Sequence, residues 1–218
     1  MMCQMMFGQS LDEIKQRLKT LPKKWDGRES ILELKEADYN WRQMEWWAFY
    51  FEYKCWLLLR DICEFPGDRI NKVSFDMKYH INFDIKAKAI KSDEHKVILN
   101  DTEAMEIAMK KHGFHGEIIA LCDVEYNDED RTFQKWHTEL KGGLSDYEKG
   151  RIQRTSSSRY RKVRAELCEV LIVILTEKNL TNLDVYKQGR NANGRPRPPK
   201  YMINLENINM YDHTIIRY

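Results

Sequence analysis

No apolar run in this 218-residue chain exceeds strand length. A stretch such as "VLIVIL" at 170–175 falls well short of the ~18–20 residues that a membrane helix requires, so no membrane partner is expected. Cysteine is sparse: five residues, at positions 3, 55, 63, 122 and 168, odd in number and without a CxxC pair. That argues against a disulfide framework and against a zinc site, and for reduced, mostly buried thiols. The opening "MMCQMMFGQS" has neither the basic start nor the long apolar stretch of a signal peptide. These absences together lead to a cytoplasmic expectation. No internal repeat is present either.

The apolar fraction of 42% and aromatic fraction of 11% suit a folded globule with a real core rather than a disordered chain. Net charge is +2, but it is unevenly spread. Residues 1–150 hold 23 Lys and Arg against 28 Asp and Glu, whereas residues 151–218 hold 13 against 6. An acidic body with a basic last third suits a polyanion held by one region and worked on by another. A basic surface without a ligand gives the same count.

Periodicity predicts a short helix over 10–20, capped by Ser10 with Glu13 in capping-box position, and a further helical turn or two at 28–36. A long helix is expected from about 39 to 64, with an apolar face at 41, 44, 48, 51, 55, 58 and 62, stopped by Pro66-Gly67. Then come a hairpin at 73–90, a strand at 96–99, a helix at 101–112 and a strand at 116–126. A helix ending at Gly142-Gly143, helical residues 159–169, a strand at 169–176, a basic loop at 186–200 and one or two strands in the tail complete the expectation. This order predicts one α/β domain, a central mixed sheet flanked by helices. Its parts are an N-terminal helical part (1–37), a core (38–177), and a basic loop with C-terminal tail (178–218).

The hairpin carries the chemistry. If its turn is centred on His80, Asp76 lies opposite Asp84, with Cβ atoms roughly 4.5–5.5 Å apart. Lys86, and beyond it Lys88, project on the same face, while Phe75, Met77, Phe83 and Ile85 form the other. Two opposed carboxylates repel unless a cation joins them; Lys86 supplies one charge and a divalent ion would supply the rest. A merely solvated polar face is the plainer account. Glu52, in "FYFEYKC", and Glu45 lie amid aromatics on the preceding helix, and an ionised Glu52 there needs an Arg or Lys partner or a metal, the ion pair being the plainer expectation.

At these residues the chain resembles the PD-(D/E)xK nuclease superfamily, and within it the type II restriction endonucleases. Asp76, seven intervening residues, then Asp84-Ile85-Lys86 matches the acid followed by acid-x-Lys. "NFDIKAKAI" is similar to the aspartate version of that strand, and "WRQMEWWAFYFEYKC" to the helix that often adds a glutamate, here Glu52 or, less well, Glu45. Phe75 stands where the family pattern has proline, and the spacer leaves room for a tight hairpin alone. The resemblance covers about residues 38–177. It implies a restriction-endonuclease-like core and Mg²⁺-dependent hydrolysis of double-stranded DNA to 5′-phosphate ends. Asp76, Asp84 and the Ile85 carbonyl would be metal ligands, with Lys86 orienting the attacking water and Glu52 an additional acid. A homodimer matching palindromic sites and a companion DNA methyltransferase follow from the same class.

Lys88 and two basic segments are candidates for the DNA contact. "RIQRTSSSRYRKVR" offers Arg151, Arg154, Ser156, Ser157, Ser158, Arg159, Arg161 and Arg164; the 186–200 loop offers Arg190, Asn191, Asn193, Arg195 and Arg197. His112, His115 and His137 lack a nucleophile or acid in triad spacing, so packing or surface roles are expected for them. Asp123 and Glu125 are read as strand-end solvation. A repair or recombination nuclease of the same superfamily and a non-catalytic DNA-binding protein stay open as alternatives.

Overall fold

The computed structural model describes residues 11–70, 72–90, 95–127, 130–154, 160–190 and 194–218. The first part holds α1 (11–18), β1 (Lys24–Asp26), α2 (Gly27–Glu36) and α3 (Trp46–Leu59). Next are β2 (Arg69–Ile70), β3 (Val73–Ser74), β4 (Met77–Tyr79), β5 (Ile81–Ala89), β6 (Lys96–Asp101) and α4 (Thr102–His112). The rest comprises β7 (Phe114–Asn127), α5 (Thr132–Leu140), α6 (Asp146–Gln153), β8 (Arg161–Thr176), β9 (Asp184–Tyr186), β10 (Lys200–Asn204) and β11 (Asp212–Arg217).

The architecture is α/β, with a mixed central sheet flanked by helices. Its strand path is β1–β8–β7–β5–β4, and β11 pairs with β8 beyond β1. β5 and β7 run parallel, joined through β6 and α4, while the other ladders are antiparallel. Alternation along the long strands divides the core in two. Ile118, Ala120, Val170, Ile172 and Ile174 pack toward α1, α2 and α3; Ile119, Leu171, Val173 and Leu175 pack toward α4 and the small sheet β6–β10–β9.

Local chemistry explains most element ends. Asp26 caps α2 by accepting from the backbone N–H of Arg28 and Glu29. α4 stops at Gly113, whose φ of 80° lies in the left-handed region that glycine enters freely. The expected long helix is shorter than its periodicity. Asp38 and Asn40 take positive φ, interrupting the chain before Trp46, so α3 begins at its aromatic run. Buried on several sides, α3 places Trp46, Trp47, Phe51, Cys55 and Leu59 in the core.

Residues 159–169 are not helical where described: β8 is one strand from 161 to 176. Its first half is rich in helix formers, but β7 pairs along one edge and β1 along the other. Ala165 and Leu167 thereby point into the core, and burial overrides propensity. α6 was not expected. It is short and polar, opened by a reciprocal cap in which Ser145 and Glu148 satisfy each other's backbone N–H. The predicted Ser10 cap lies outside the described residues. Among the described residues no helix is long and apolar enough to cross a membrane.

Candidate metal and catalytic centre

The hairpin register is the expected one: Met77 faces Phe83, Lys78 faces Asn82 and Tyr79 faces Ile81. His80 takes the turn with φ of 61°. The ladder stops at Met77, however, and Asp76 is not a paired strand residue. Its side chain replaces the missing strand, Oδ2 accepting from the Ile85 backbone N–H at 2.7 Å. In an extended strand the N–H and C=O of one residue point to the same edge, so the Ile85 carbonyl turns toward Asp76 as well. The break also moves Phe75 out of the face shared by Met77, Phe83 and Ile85. It packs instead with Ile70, Ala104 and Ala108, its ring 5.2 Å from that of His115.

Asp84 and Lys86 project together from β5, and Asp76 reaches the same point from the edge. The Lys86 ammonium is 3.4 Å from Asp84 Oδ1 and 3.7 Å from Asp76 Oδ2. Asp84 is 1% exposed. Its second oxygen, Oδ2, accepts from Asn100 Nδ2 at 2.9 Å and lies 3.7 Å from His115 Nε2. Behind it, Glu117 sits on β7 in register with Asp84, its Oε1 3.0 Å from His115 Nε2.

Glu52 enters from α3. With Ala48 and Phe49 it lines a cleft of about 430 Å³ whose other wall is Asp76, Ile85, Lys86, Lys88 and the start of β6. Among the described residues its partner is not an Arg or Lys but Tyr39, whose hydroxyl donates to Oε1 at 2.5 Å. Glu45 is elsewhere, paired with Lys162 and accepting from the Trp47 indole. Glu52 is thus the helix glutamate of the cleft.

The electrostatics report an excess of negative charge. Burial raises the Glu52 carboxyl to about 7, with Asp76 and Asp84 adding to the rise and Tyr39 and Lys86 opposing it. Burial likewise raises Asp76, helped by Asp84 and opposed by Lys86 and the Ile85 N–H. Glu117 rises through burial against the pull of His115. For Lys86 burial works to lower the pKa, but Asp84, Glu117 and Asp76 together hold it above its ordinary range. Three carboxyl groups, of Asp84, Glu117 and Asp76, thus act on the Lys86 ammonium, an arrangement that favours protonation or a cation.

The donor set fits a hard divalent cation: the Asp76 carboxylate and the Ile85 main chain line the open cleft, and the buried Asp84 carboxylate is joined to Asp76 through Lys86. Deeper in, one ligand atom from each of Asp84, His115 and Glu117 lies within 4.8 Å of the others, and this group could hold a metal. His115 Nδ1 and Glu117 Oε2 find no hydrogen-bond partner among the described residues, a cost of about 1–3 kcal/mol for each buried atom so left. Comparison with protein-family models, with curated proteins and with solved structures finds no match. The geometry therefore carries the functional reading by itself.

The other candidates fall in several places. Lys88 lines the cleft beyond Lys86. Arg151 lies on α6, in a second cleft with Arg42, Lys141 and Glu148, and exposed Arg154 follows the helix. Arg161 is 7% exposed and bound to Glu148 at 3.3 Å, so reaching a phosphate would break that pair. Arg164 stands 3.8 Å from Asp26 and 3.5 Å from Glu125, in a cleft also lined by Glu29, Asp123 and Glu166, surroundings that repel a polyanion. Ser156, Ser157, Ser158, Arg159, Asn191 and Asn193 lie outside the described residues. Arg190, Arg195 and Arg197 are exposed on an arm closed by the Arg190–Pro196 bridge and by the Arg197 N–H donating to the Gly189 carbonyl. The arm leads into β10, which pairs with β6 at the cleft wall.

His112 and His137 have the packing roles expected: His112 Nε2 is 2.9 Å from Asp68, and His137 Nε2 is 2.9 Å from the Trp41 carbonyl. His115 does not follow them, since it sits inside the acidic group. Glu117 and Asn100 were missed altogether. A signal was present for one of them: in "FHGEIIALC" the acid occupies an inward position of an otherwise apolar strand.

Proposed function

We propose that this protein is a Mg²⁺-dependent endodeoxyribonuclease of the type II restriction class, built on a PD-(D/E)xK core. The observation that carries the reading is the meeting of Asp76, Asp84, Lys86 and Glu52 at the unpaired edge of β5, beside an open cleft. The order of α3, the β4–β5 hairpin, β6, α4 and a parallel β7 supports it.

Asp76, Asp84 and the Ile85 carbonyl would hold the ion. Bound there, Mg²⁺ would polarise the scissile phosphate and lower the pKa of a coordinated water. Lys86, kept charged by its three acidic neighbours, orients the attacking water and offsets charge developing on the phosphoryl oxygens. Glu52, with a pKa about 7, can exchange a proton near neutral pH. Lys88 and the arm carrying Arg190, Arg195 and Arg197 lead the duplex across the cleft. Palindromic recognition would make the active form a homodimer, acting in the cytoplasm beside a methyltransferase that protects the host DNA.

The test is cleavage of a plasmid of known sequence with Mg²⁺. Wild type should cut at defined positions and leave 5′-phosphates. Asp84→Ala and Lys86→Ala should each be slower by at least ~100-fold, with DNA binding retained. Wild-type rates in both variants, or an uncut plasmid with the folded wild-type protein, would end this reading.

A further inference from the structure

We propose that Asp84, His115 and Glu117 form a second, closed site for a first-row transition-metal ion of the Zn²⁺, Co²⁺ or Mn²⁺ kind. It is distinct from the open cation position in the cleft and does not depend on the nuclease reading. Parallel pairing sets Asp84 beside Glu117, and His115, two residues earlier on β7, shares the face of Glu117. The three side chains converge with ligand atoms within 4.8 Å, a spacing that a single ion with bonds near 2.0–2.2 Å draws together by small movements. All three are essentially excluded from solvent.

Two features distinguish this group from an ordinary buried ion pair. First, His115 Nδ1 and Glu117 Oε2 are ligand-capable atoms without a hydrogen-bond partner among the described residues. The ring nitrogen that faces both carboxylates is Nε2, 3.0 Å from Glu117 Oε1 and 3.7 Å from Asp84 Oδ2, so an ion would be held through Nε2 with the free Glu117 Oε2 as a further oxygen donor. Second, Asp84 divides its oxygens, Oδ1 toward Lys86, whose side chain lines the cleft, and Oδ2 toward Asn100 and His115. One carboxylate can therefore serve both positions. The donor chemistry selects the ion. Mg²⁺ favours oxygen ligands and keeps several waters, which suits the open cleft, whereas an imidazole with two carboxylates in a closed pocket suits a borderline transition ion. Such an ion enters as the fold closes around it and stabilises that fold.

The experiment loads the full chain with Zn²⁺ or Co²⁺, dialyses it against metal-free buffer and counts bound metal by elemental analysis. Wild type should retain one ion per chain, and Asp76→Asn should retain it too. His115→Gln and Glu117→Gln should each lose at least ten-fold in affinity. Because those variants could fail to fold, wild type alone gives a second readout. A chelator should lower its Tm, Zn²⁺ but not Mg²⁺ should restore it, and Cu²⁺ in the site should show coupling to one imidazole nitrogen by electron paramagnetic resonance. No retained ion, a Tm indifferent to chelator, or equal retention by the folded variants would overturn the proposal. A protein that keeps this ion but never cuts DNA would sink the nuclease reading and leave the buried site standing.

Discussion

Replacing Glu52 with glutamine gives a pH signature whose sign and size follow from the cleft. The Glu52 carboxyl, half-buried between Tyr39 and Asp76, is raised from an ordinary 4.5 to about 7. Below pH 4.5 the group is protonated in both folded and unfolded chains, and its favourable contribution is fully present. Between 4.5 and 7 the unfolded chain releases the proton while the native chain keeps it, so stability falls as pH rises. Above 7 both forms are ionised and the loss is complete. At about 1.4 kcal/mol for each pH unit, the interval amounts to about 3 kcal/mol. Glutamine keeps a carbonyl for the Tyr39 hydroxyl but cannot ionise, so its profile lacks this decline. Urea unfolding of wild type and Glu52→Gln at pH 4.5, 6 and 8, in buffer free of divalent cations, should show the variant gaining about 3 kcal/mol relative to wild type across the series. Parallel profiles would mean that Glu52 is solvated or charge-paired and that the cleft lacks the negative excess ascribed to it.

The opposite pH slope is expected from His137. Burial and the nearby Lys141 and Arg161 lower it from 6.5 to about 4 against the pull of the Trp41 carbonyl, so native stability is lost as pH falls through that interval. His137→Gln should flatten the acid limb by about 3 kcal/mol in the same unfolding series; an unchanged limb would refute the neutral, buried state. Gly116→Ala should destabilise by at least about 1–3 kcal/mol, because an added Cβ would stand 2.1 Å from the buried Phe83 ring. A chemical-denaturation midpoint equal to wild type would show that β5 and β7 are not in this register. For DNA, the combined Arg195→Ala and Arg197→Ala change should reduce the slope of log K against log salt by about 2, since each lost phosphate contact removes about 0.9. Arg164→Ala, set among acids, should leave that slope unchanged; the reverse result would put the DNA on the other side of the molecule.

How far the fold could be read from sequence depended on whether a segment's partner lay nearby in the chain. The β4–β5 hairpin is local, and alternation together with a turn placed at His80 gives its register. α4 and β7 likewise carry their own signals, a left-handed Gly113 and a clear change of period. The first half of β8 has no such signal, because "RKVRAEL" favours a helix in isolation. It becomes strand through β1, more than 130 residues earlier, and through β7. α3 failed at its start for the converse reason: apolar spacing continued through 39–45, but the left-handed Asp38 and Asn40 broke the helix.

The same distinction governs the candidate centre. Asp76, Asp84 and Lys86 belong to one hairpin, and strand alternation was enough to place them together. What alternation could not supply is the break at Met77, which turns Asp76 from a ladder residue into a side-chain cap on Ile85. That substitution leaves the strand edge open where a regular ladder would have closed it, and the cleft exists because of it. Glu117 escaped notice because it becomes Asp84's neighbour only through the parallel crossover by way of β6 and α4. A buried acid in an apolar strand must have a charged or protonated neighbour. By that rule "HGEIIAL" requires a counter-charge for Glu117, and His115, two residues earlier on the same strand face, is the nearest group in the sequence that supplies one.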